Sequence, residues 1–282
     1  MVTQSEYWNG KAGKKWASLA NNQDTLLGKL GEATMDAAGV SNGQSVLDIG
    51  CGSGGSTFEI SRRIGSDGTV WGVDISKPML DIAIARLTSH DIGNVRFSEA
   101  DVTTFDFTNH SFDIAFSRFG VMFFEDSVAA FRNINKSLLP GSPLSFVCWQ
   151  SPIQNPWQSL FVQEVKKFID LPAPPPRSPG PFAFMESNYV NSILENSNFE
   201  SIEIEGHEAE VNMFSGRSLA DSVKDYMAIN PVVSEMLKDS SNQVKQEIIK
   251  STMEVFSPYY SDKGLIFPGA AWLVTAKKEA NA

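Results

Sequence analysis

The chain has 282 residues, of which 42% are hydrophobic, an ordinary share for a globular protein and enough for a sizeable core. Its 23 Lys and Arg against 33 Asp and Glu give a net charge of −10, which disfavours a surface for nucleic acid or anionic membranes because phosphate binding needs clustered cations. The sequence contains no run of about 18 apolar residues, so no transmembrane helix is predicted. The opening M-V-T-Q-S-E is unlike a signal peptide, which favours a cytoplasmic protein.

Cysteine and histidine are too sparse to build a framework or a metal centre. Cys51 and Cys148 cannot form a disulfide framework, and the three histidines are scattered. No Cys/His/Asp spacing matches a zinc site, so we predict no metal.

Residues 1–40 are predicted to form an N-terminal helical arm of two helices. The first carries Trp8 and Trp16, and the second runs from about residue 24 to residue 38 with a leucine-rich face. The tryptophans have two interpretations at this point. They pack the arm on the core, or they close over a bound ligand, for which Trp16 is the candidate.

Residues 46–54, V-L-D-I-G-C-G-S-G, organise the rest of the chain. An apolar run typical of a buried strand leads into glycines at every second position, Gly50, Gly52 and Gly54. Glycine adopts positive φ without penalty and lets a ligand approach the backbone. A helical pattern follows, so we predict a strand, a glycine loop and a helix that form a nucleotide-sized cradle. Asp48, before the first glycine, would repel a pyrophosphate and attract an ammonium group.

Two further predicted strands are each followed by a carboxylate. Asp74 ends T-V-W-G-V-D, 26 residues after Asp48, and can hold both hydroxyls of a ribose. Asp101 lies 27 residues further on, after a strand around residues 95–97, and can accept a hydrogen bond from an adenine amine. The same glycine loop also satisfies the dinucleotide fingerprint, so a nicotinamide cofactor is an alternative on that motif alone.

Together these features resemble the class I S-adenosylmethionine-dependent methyltransferases, in the small-molecule branch that includes ubiquinone-type methyltransferases. The glycine loop matches their motif D-x-G-x-G-x-G, Asp74 fits their ribose-binding acid, and Ala100-Asp101-Val102 fits their adenine-binding turn. F-D-I-A-F-S-R-F and L-L-P-G-S-P-L-S-F-V match their fourth and fifth strands. The resemblance is close over residues 41–150. It implies an α/β fold with a seven-stranded Rossmann-like sheet of order 3-2-1-4-5-7-6, in which strand 7 is antiparallel.

The resemblance also implies a cofactor, S-adenosylmethionine, and a product, S-adenosylhomocysteine. The residues expected to bind them lie in the glycine loop, after the second, third and fourth strands, and in the arm: Asp48, Gly50, Cys51, Gly52, Gly54, Asp74, Ile75, Met79, Ala100, Asp101, Val102, Ser117 and Trp16.

Candidate substrate residues follow the fourth and fifth strands. Arg118 can hold an anionic group, or it pairs with a carboxylate such as Glu125, and Phe119 can line an apolar pocket. Residues 151–181 contain eight of the fourteen prolines, which predicts a substrate-side flap or a plain rigid linker. Phe182 and Phe184 would anchor this flap and contact substrate.

The remaining chain is predicted to complete one catalytic domain. The core spans residues 41–150, the flap and the last crossover 151–216, a helical lid 217–264, and the final antiparallel strand and tail 265–282. Isoleucines alternating with glutamates around residue 203 predict strand six, and His207, just after it on the crevice rim, is a candidate general base.

Three functions are compatible with these patterns. The first is methyl transfer to a small-molecule acceptor, without nucleic acid or membrane as partner. The second is a nicotinamide-dependent oxidoreductase of related fold. The third is a non-catalytic S-adenosylmethionine-binding partner of another enzyme.

Overall fold

The computed structural model describes residues 3–90, 92–107 and 109–280. Within them one sheet contains eight strands: Ser45–Ile49 (β1), Thr69–Asp74 (β2), Val95–Glu99 (β3), Ile114–Arg118 (β4), Pro143–Trp149 (β5), Phe199–Met213 (β6), Tyr260–Ser261 (β7) and Gly264–Lys278 (β8). The central strands β1, β4 and β5 are buried almost throughout, as expected for parallel strands covered on both faces.

The strand order is β3-β2-β1-β4-β5-β8-β6, with β7 paired to β8 as a two-residue addition. Strands β1 to β5 are parallel, and β8 is antiparallel to both β5 and β6. The predicted seven-stranded order, with its last strand antiparallel, is therefore confirmed. The order reverses between β1 and β4, which is where open α/β sheets form their ligand crevice.

The helices are Gln4–Asn9 (α1), Lys11–Ser18 (α2), Ala20–Ala38 (α3), Gly55–Ile64 (α4), Lys77–His90 (α5), Ser127–Ser137 (α6), Pro156–Val165 (α7), Ser187–Glu195 (α8), Leu219–Ile229 (α9), Pro231–Met236 (α10) and Asn242–Phe256 (α11). The arm has three helices where the sequence predicted two. Gly10 ends α1, and α3 begins at Ala20, four residues before the predicted start.

Strands β6 and β8 are much longer than the isoleucine and tryptophan patterns indicated. They pair from Phe199 opposite Lys278 to Met213 opposite Leu265 and so extend past the end of β5. The extension is stable because its apolar side chains are covered by the helices of residues 219–256. Phe267, for example, lies 4.9 Å from the ring of Phe256.

Apolar clusters cover both faces of the sheet. Within the described part of the chain, no helix combines the length and the apolarity that crossing a membrane requires.

Candidate active site

A cavity of about 380 Å³ lies at the carboxyl ends of β1, β2 and β4, beside the reversal of strand order. Its walls come from the glycine loop, the segments after β2, β3 and β4, and the first helix of the arm. Seven of the predicted cofactor residues line it: Gly50, Asp74, Ile75, Met79, Ala100, Asp101 and Val102. The segments after the four parallel strands β1 to β4 meet here because carboxyl ends of parallel strands share one edge.

The glycine loop needs glycine for its backbone conformation and for close packing. Gly50, Gly52 and Gly54 have φ angles of 66°, 55° and 87°, in the left-handed region that other residues avoid. A Cβ on Gly50 would lie 2.7 Å from the Cα of Gly120, and one on Gly52 would lie 2.8 Å from Cε of Met79. Gly50 lines the cavity, whereas Gly52 and Gly54 support it from outside the lining.

Asp48 is fully buried at the end of β1. Its Oδ2 accepts hydrogen bonds from the hydroxyls of Ser56 at 2.8 Å and Thr57 at 2.6 Å, both in the first turn of α4. Its Oδ1 has no hydrogen-bond partner among the described residues. Burial raises the pKa of Asp48, while the two hydroxyls and the charge of Arg118 oppose that rise. A buried acceptor without a partner suits a donor supplied by a ligand or an ordered water.

Asp74 ends β2, and its carboxylate holds two backbone segments. Oδ2 accepts from the N–H of Gly52 and Oδ1 from the N–H of Ser76, both at 2.8 Å. Each carboxylate oxygen has two acceptor positions, so one on each oxygen is left for donors in the cavity. Burial raises the pKa of Asp74 to about 6, with the two N–H groups opposing the shift and the charge of Asp48 adding to it.

The segment after β3 forms an apolar wall with a polar rim. Met79, Ala100 and Val102 are at most 8% exposed, so together they present an apolar surface to the cavity. Asp101 is exposed, and its Oδ1 accepts from the N–H of Thr103 at 2.9 Å. That bond fixes the turn and uses one of the two carboxylate oxygens.

Two other predicted cofactor residues lie outside the cavity lining. The hydroxyl of buried Ser117 donates to the carbonyl of Ile49 at 2.7 Å and accepts from the N–H of Gly120 at 3.2 Å, so it ties β4 to β1. Cys51 is buried in the glycine loop. Burial and the nearby carboxylates raise the pKa of its thiol well above the usual value, so the thiol stays protonated and is a poor nucleophile.

The arm covers the cavity with Trp8 rather than with Trp16. Thr3, Gln4, Ser5 and Trp8 line the cavity, and the indole of Trp8 packs edge-on against Phe123 at 5.0 Å. Trp16 packs against the main apolar core and lies outside the lining. Helical periodicity did not distinguish the two because the non-helical residue Gly10 places them on separate helices, α1 and α2.

The segment after β4 places Phe119 in the cavity wall. Phe119 has a φ of 60°, which is strained for a non-glycine residue, and its ring stacks on Trp149 at 4.2 Å. Arg118 instead runs along α3, where a Cβ on Gly31 would lie 2.9 Å from its Cδ, and it lies outside the cavity lining. Glu125 accepts from the N–H of Gln4 at 2.7 Å.

The two phenylalanines of the proline-rich segment pack away from the cavity. Phe182 stacks on Trp157 at 5.6 Å. Phe184 is 1% exposed and packs in the core, with ring centroids 6.2 Å from Phe131 and 6.3 Å from Phe146. Neither lines the cavity, because the segment turns its aromatic side chains into the core.

His207 lies within β6 rather than after it, opposite Ala271 of β8. Strands β5 and β8 separate β6 from β4, a distance of roughly 14 Å at the usual strand spacing. His207 therefore lies outside the cavity lining. Across residues 3–90, 92–107 and 109–280, no group of three or more His, Cys, Asp or Glu is arranged to hold a metal ion.

Known proteins match the core of this chain and its fold. A family model described as a methyltransferase domain matches residues 46–141. The ubiquinone/menaquinone biosynthesis C-methyltransferase of Idiomarina loihiensis is 35% identical over 121 residues, which are 43% of this chain and 48% of that protein. Residues 46–141 therefore form a methyltransferase domain, and over this part the chain resembles the class I S-adenosylmethionine-dependent methyltransferases.

Other relatives of this domain differ in the acceptors that their names state. The phosphoethanolamine N-methyltransferase 1 of Triticum aestivum is 37% identical over 107 residues, which are 38% of this chain and 21% of that protein. The chain spans about half the length, or less, of the curated relatives it matches first.

Solved structures match over nearly the whole fold. A structure titled as a putative methyltransferase from Bacillus halodurans has a TM-score of 0.56 at 20% identity and covers 88% of this chain and 98% of its own. The Haemonchus contortus phosphoethanolamine N-methyltransferase 2 in complex with S-adenosyl-L-methionine has a TM-score of 0.58 at 18% identity, covering 99% of this chain and 60% of its own. At these identities the likeness concerns the fold.

Proposed function

We propose that this methyltransferase binds S-adenosylmethionine in the cavity and transfers the methyl group to a small-molecule acceptor by in-line displacement, with S-adenosylhomocysteine as product. The observation that carries this proposal is the charge of the cavity wall. The ionisable side chains in the described lining are the carboxyls of Asp74, Asp101 and Glu125, with no Lys, Arg or His. Such a wall attracts a cationic sulfonium and disfavours the pyrophosphate of a nicotinamide cofactor.

The lining residues also fit the parts of the proposed cofactor. Asp74 has an acceptor position left on each oxygen for the two ribose hydroxyls, and Asp101 has a second oxygen for the adenine amine. Ile75, Met79 and Val102 supply apolar surface for the adenine ring. The unpartnered Oδ1 of Asp48, behind the glycine loop, suits the ammonium group directly or through water.

The bound sulfonium supplies an already activated methyl group, so the chain has to position the reactants rather than form a covalent bond. Positioning alone is worth about 7–11 kcal/mol in model reactions. Trp8, Phe119 and Phe123 line the cavity with aromatic surface, which would limit the water around the reacting groups. No cation in the described lining would hold an anionic acceptor, and the aromatic wall favours an acceptor with an apolar ring or chain.

The proposal is tested by thermal shift and turnover on the whole chain. S-adenosylhomocysteine should raise the melting temperature and NADH should leave it unchanged. Purified protein with S-adenosylmethionine and a panel of small quinols, phenols and amines should then yield a product heavier by one methyl group in mass spectrometry. Stabilisation by NADH alone would indicate the oxidoreductase. Cofactor binding without turnover on any acceptor would indicate the non-catalytic partner.

A further inference from the structure

The N-terminal strap, defined as residues 3–19, is joined to the cofactor side of the cavity through Asn9. The amide of Asn9 donates to the carbonyl of Ile75 at 2.9 Å and accepts from the N–H of Lys77 at 2.9 Å. Lys77 is the first residue of α5, whose N–H has no partner inside that helix, so Asn9 caps α5 from a different part of the chain. The hydroxyl of Ser76 adds a third bond, to the carbonyl of Trp8 at 2.8 Å.

The same strap is joined to the helices of residues 219–256 through Lys15. Its ammonium group lies 2.8 Å from Oδ1 of Asp225 in α9, and the guanidinium of Arg217 lies 2.8 Å from the other oxygen. Asp225 is only 7% exposed. Without Lys15, Asp225 would keep only Arg217, whose side chain is 47% exposed, so the buried carboxylate would be less well compensated.

The strap between these two attachments is closely packed at Gly13. A Cβ on Gly13 would lie 1.7 Å from the carbonyl oxygen of Trp8 and 2.8 Å from the hydroxyl of Ser76. Helix α2 therefore packs directly on the end of α1 and on the turn after β2. A displacement of Trp8 from the cavity would therefore disturb Asn9, the next residue, and α2, which carries Lys15.

We propose that the strap transmits occupancy of the cavity to α9, and that Asn9 and Lys15 are the positioning residues that do so. The ligand's identity rests on the proposed function. A ligand that contacts both Trp8 and Ile75 binds most tightly to the protein when the strap is docked, and its binding therefore stabilises the docked strap. The docked strap presents Lys15 to Asp225 and stabilises α9. Coupling of this kind is reciprocal, so weakening the α9 attachment must also weaken ligand binding.

Hydrogen exchange on the whole chain, with and without S-adenosylhomocysteine, tests the coupling. In the wild type the ligand should slow exchange in both residues 4–18 and residues 219–229. In Lys15→Met the protection of residues 4–18 should remain and that of residues 219–229 should disappear. Lys14→Met is the matched control, since it removes the neighbouring exposed lysine and the same charge. Equal protection of α9 in the two variants overturns the proposal.

A second measurement isolates Asn9. Its replacement by alanine should speed dissociation of S-adenosylhomocysteine roughly tenfold, the loss expected for two net hydrogen bonds. Asn196→Ala, which removes an amide bonded to the carbonyl of Ser192 at 2.7 Å in α8, should leave the rate unchanged. Equal dissociation rates in both variants would show that Asn9 does not position the strap over the ligand.

The strap can also be judged without any ligand. Lys15→Met alone should exchange faster than Lys14→Met in residues 219–229, and identical exchange would refute the attachment. Absence of S-adenosylhomocysteine binding to the wild type, by contrast, would defeat the proposed function while leaving this comparison intact.

Discussion

Replacement of Asp74 by alanine should weaken S-adenosylhomocysteine binding more than any other single change at the strand ends. The carboxylate has one acceptor position left on each oxygen after bonding Gly52 and Ser76. Hydrogen bonds to a charged acceptor contribute about 1.5 kcal/mol each at the low end of their range. Loss of two such bonds is about 3 kcal/mol, or roughly 140-fold in Kd.

Isothermal titration calorimetry measures this loss, and Asp113→Ala is the matched control. Asp113 also accepts a backbone N–H, from Ser45 at 2.8 Å, but at the amino end of β1, away from the cavity. Both alanine variants leave a backbone N–H without its acceptor, so both should lower the melting temperature. Only Asp74→Ala should change Kd. Unchanged affinity, or an equal loss in the Asp113 variant, would refute the ribose assignment.

The pH dependence gives an independent check on the same carboxyl. The pKa of Asp74 is raised to about 6 in the folded state, above the ordinary value of 3.8. Between pH 3.8 and pH 6 the folded state of the wild type therefore binds more protons than the unfolded state. This contribution to the free energy of unfolding is present below pH 3.8 and is lost as pH rises through about 6. The affinity for S-adenosylhomocysteine should instead increase from pH 5 to 7, since the ionised carboxylate is the better hydrogen-bond acceptor. Asp74→Asn should flatten both profiles, and a flat wild-type profile would contradict the assignment.

Three further changes test the packing around the cavity. Gly13→Ala should undock the strap and weaken S-adenosylhomocysteine binding in calorimetry. Gly28→Ala, whose Cβ would meet nothing within 4 Å, should leave binding intact. Equal affinities in the two variants would show that the docked strap does not contribute to binding. Gly120→Ala should lower the free energy of unfolding, measured in urea, by about 1–3 kcal/mol through overpacking, since its Cβ would lie 2.8 Å from the carbonyl oxygen of Ile49. An unchanged free energy of unfolding would show that the segment after β4 relaxes to make room for the methyl group. Asp48→Asn keeps an acceptor for both α4 hydroxyls and removes a buried charge, so the variant should retain its stability at pH 8. Its affinity for S-adenosylhomocysteine should fall roughly tenfold through loss of a charge-assisted hydrogen bond. Unchanged affinity would show that Asp48 does not bind the ligand.

The parallel arrangement of the strands and the position of the cavity followed from local sequence patterns, whereas the order of the strands was implied by the resemblance to a family. Alternating strand and helix signals predict parallel strands with right-handed crossovers, and such strands place their carboxyl ends on one edge. Gly50, Asp74 and Asp101 each come directly after a predicted strand, so their convergence required no knowledge of side-chain packing. That is why seven predicted cofactor residues line the cavity.

The sequence by itself therefore determined the α/β class and the acidic groups at the sheet edge, because each depends on residues close together in the chain, whereas the strand order was implied by the resemblance to a family. Only the tertiary structure decided that Trp8 covers the cavity, that Phe184 belongs to the core and that His207 lies inside β6. It also revealed Asn9 and Lys15, whose partners lie 66 and 210 residues away in the chain. Contacts across such separations depend on how whole elements pack, and a periodic pattern records only which face of an element is apolar.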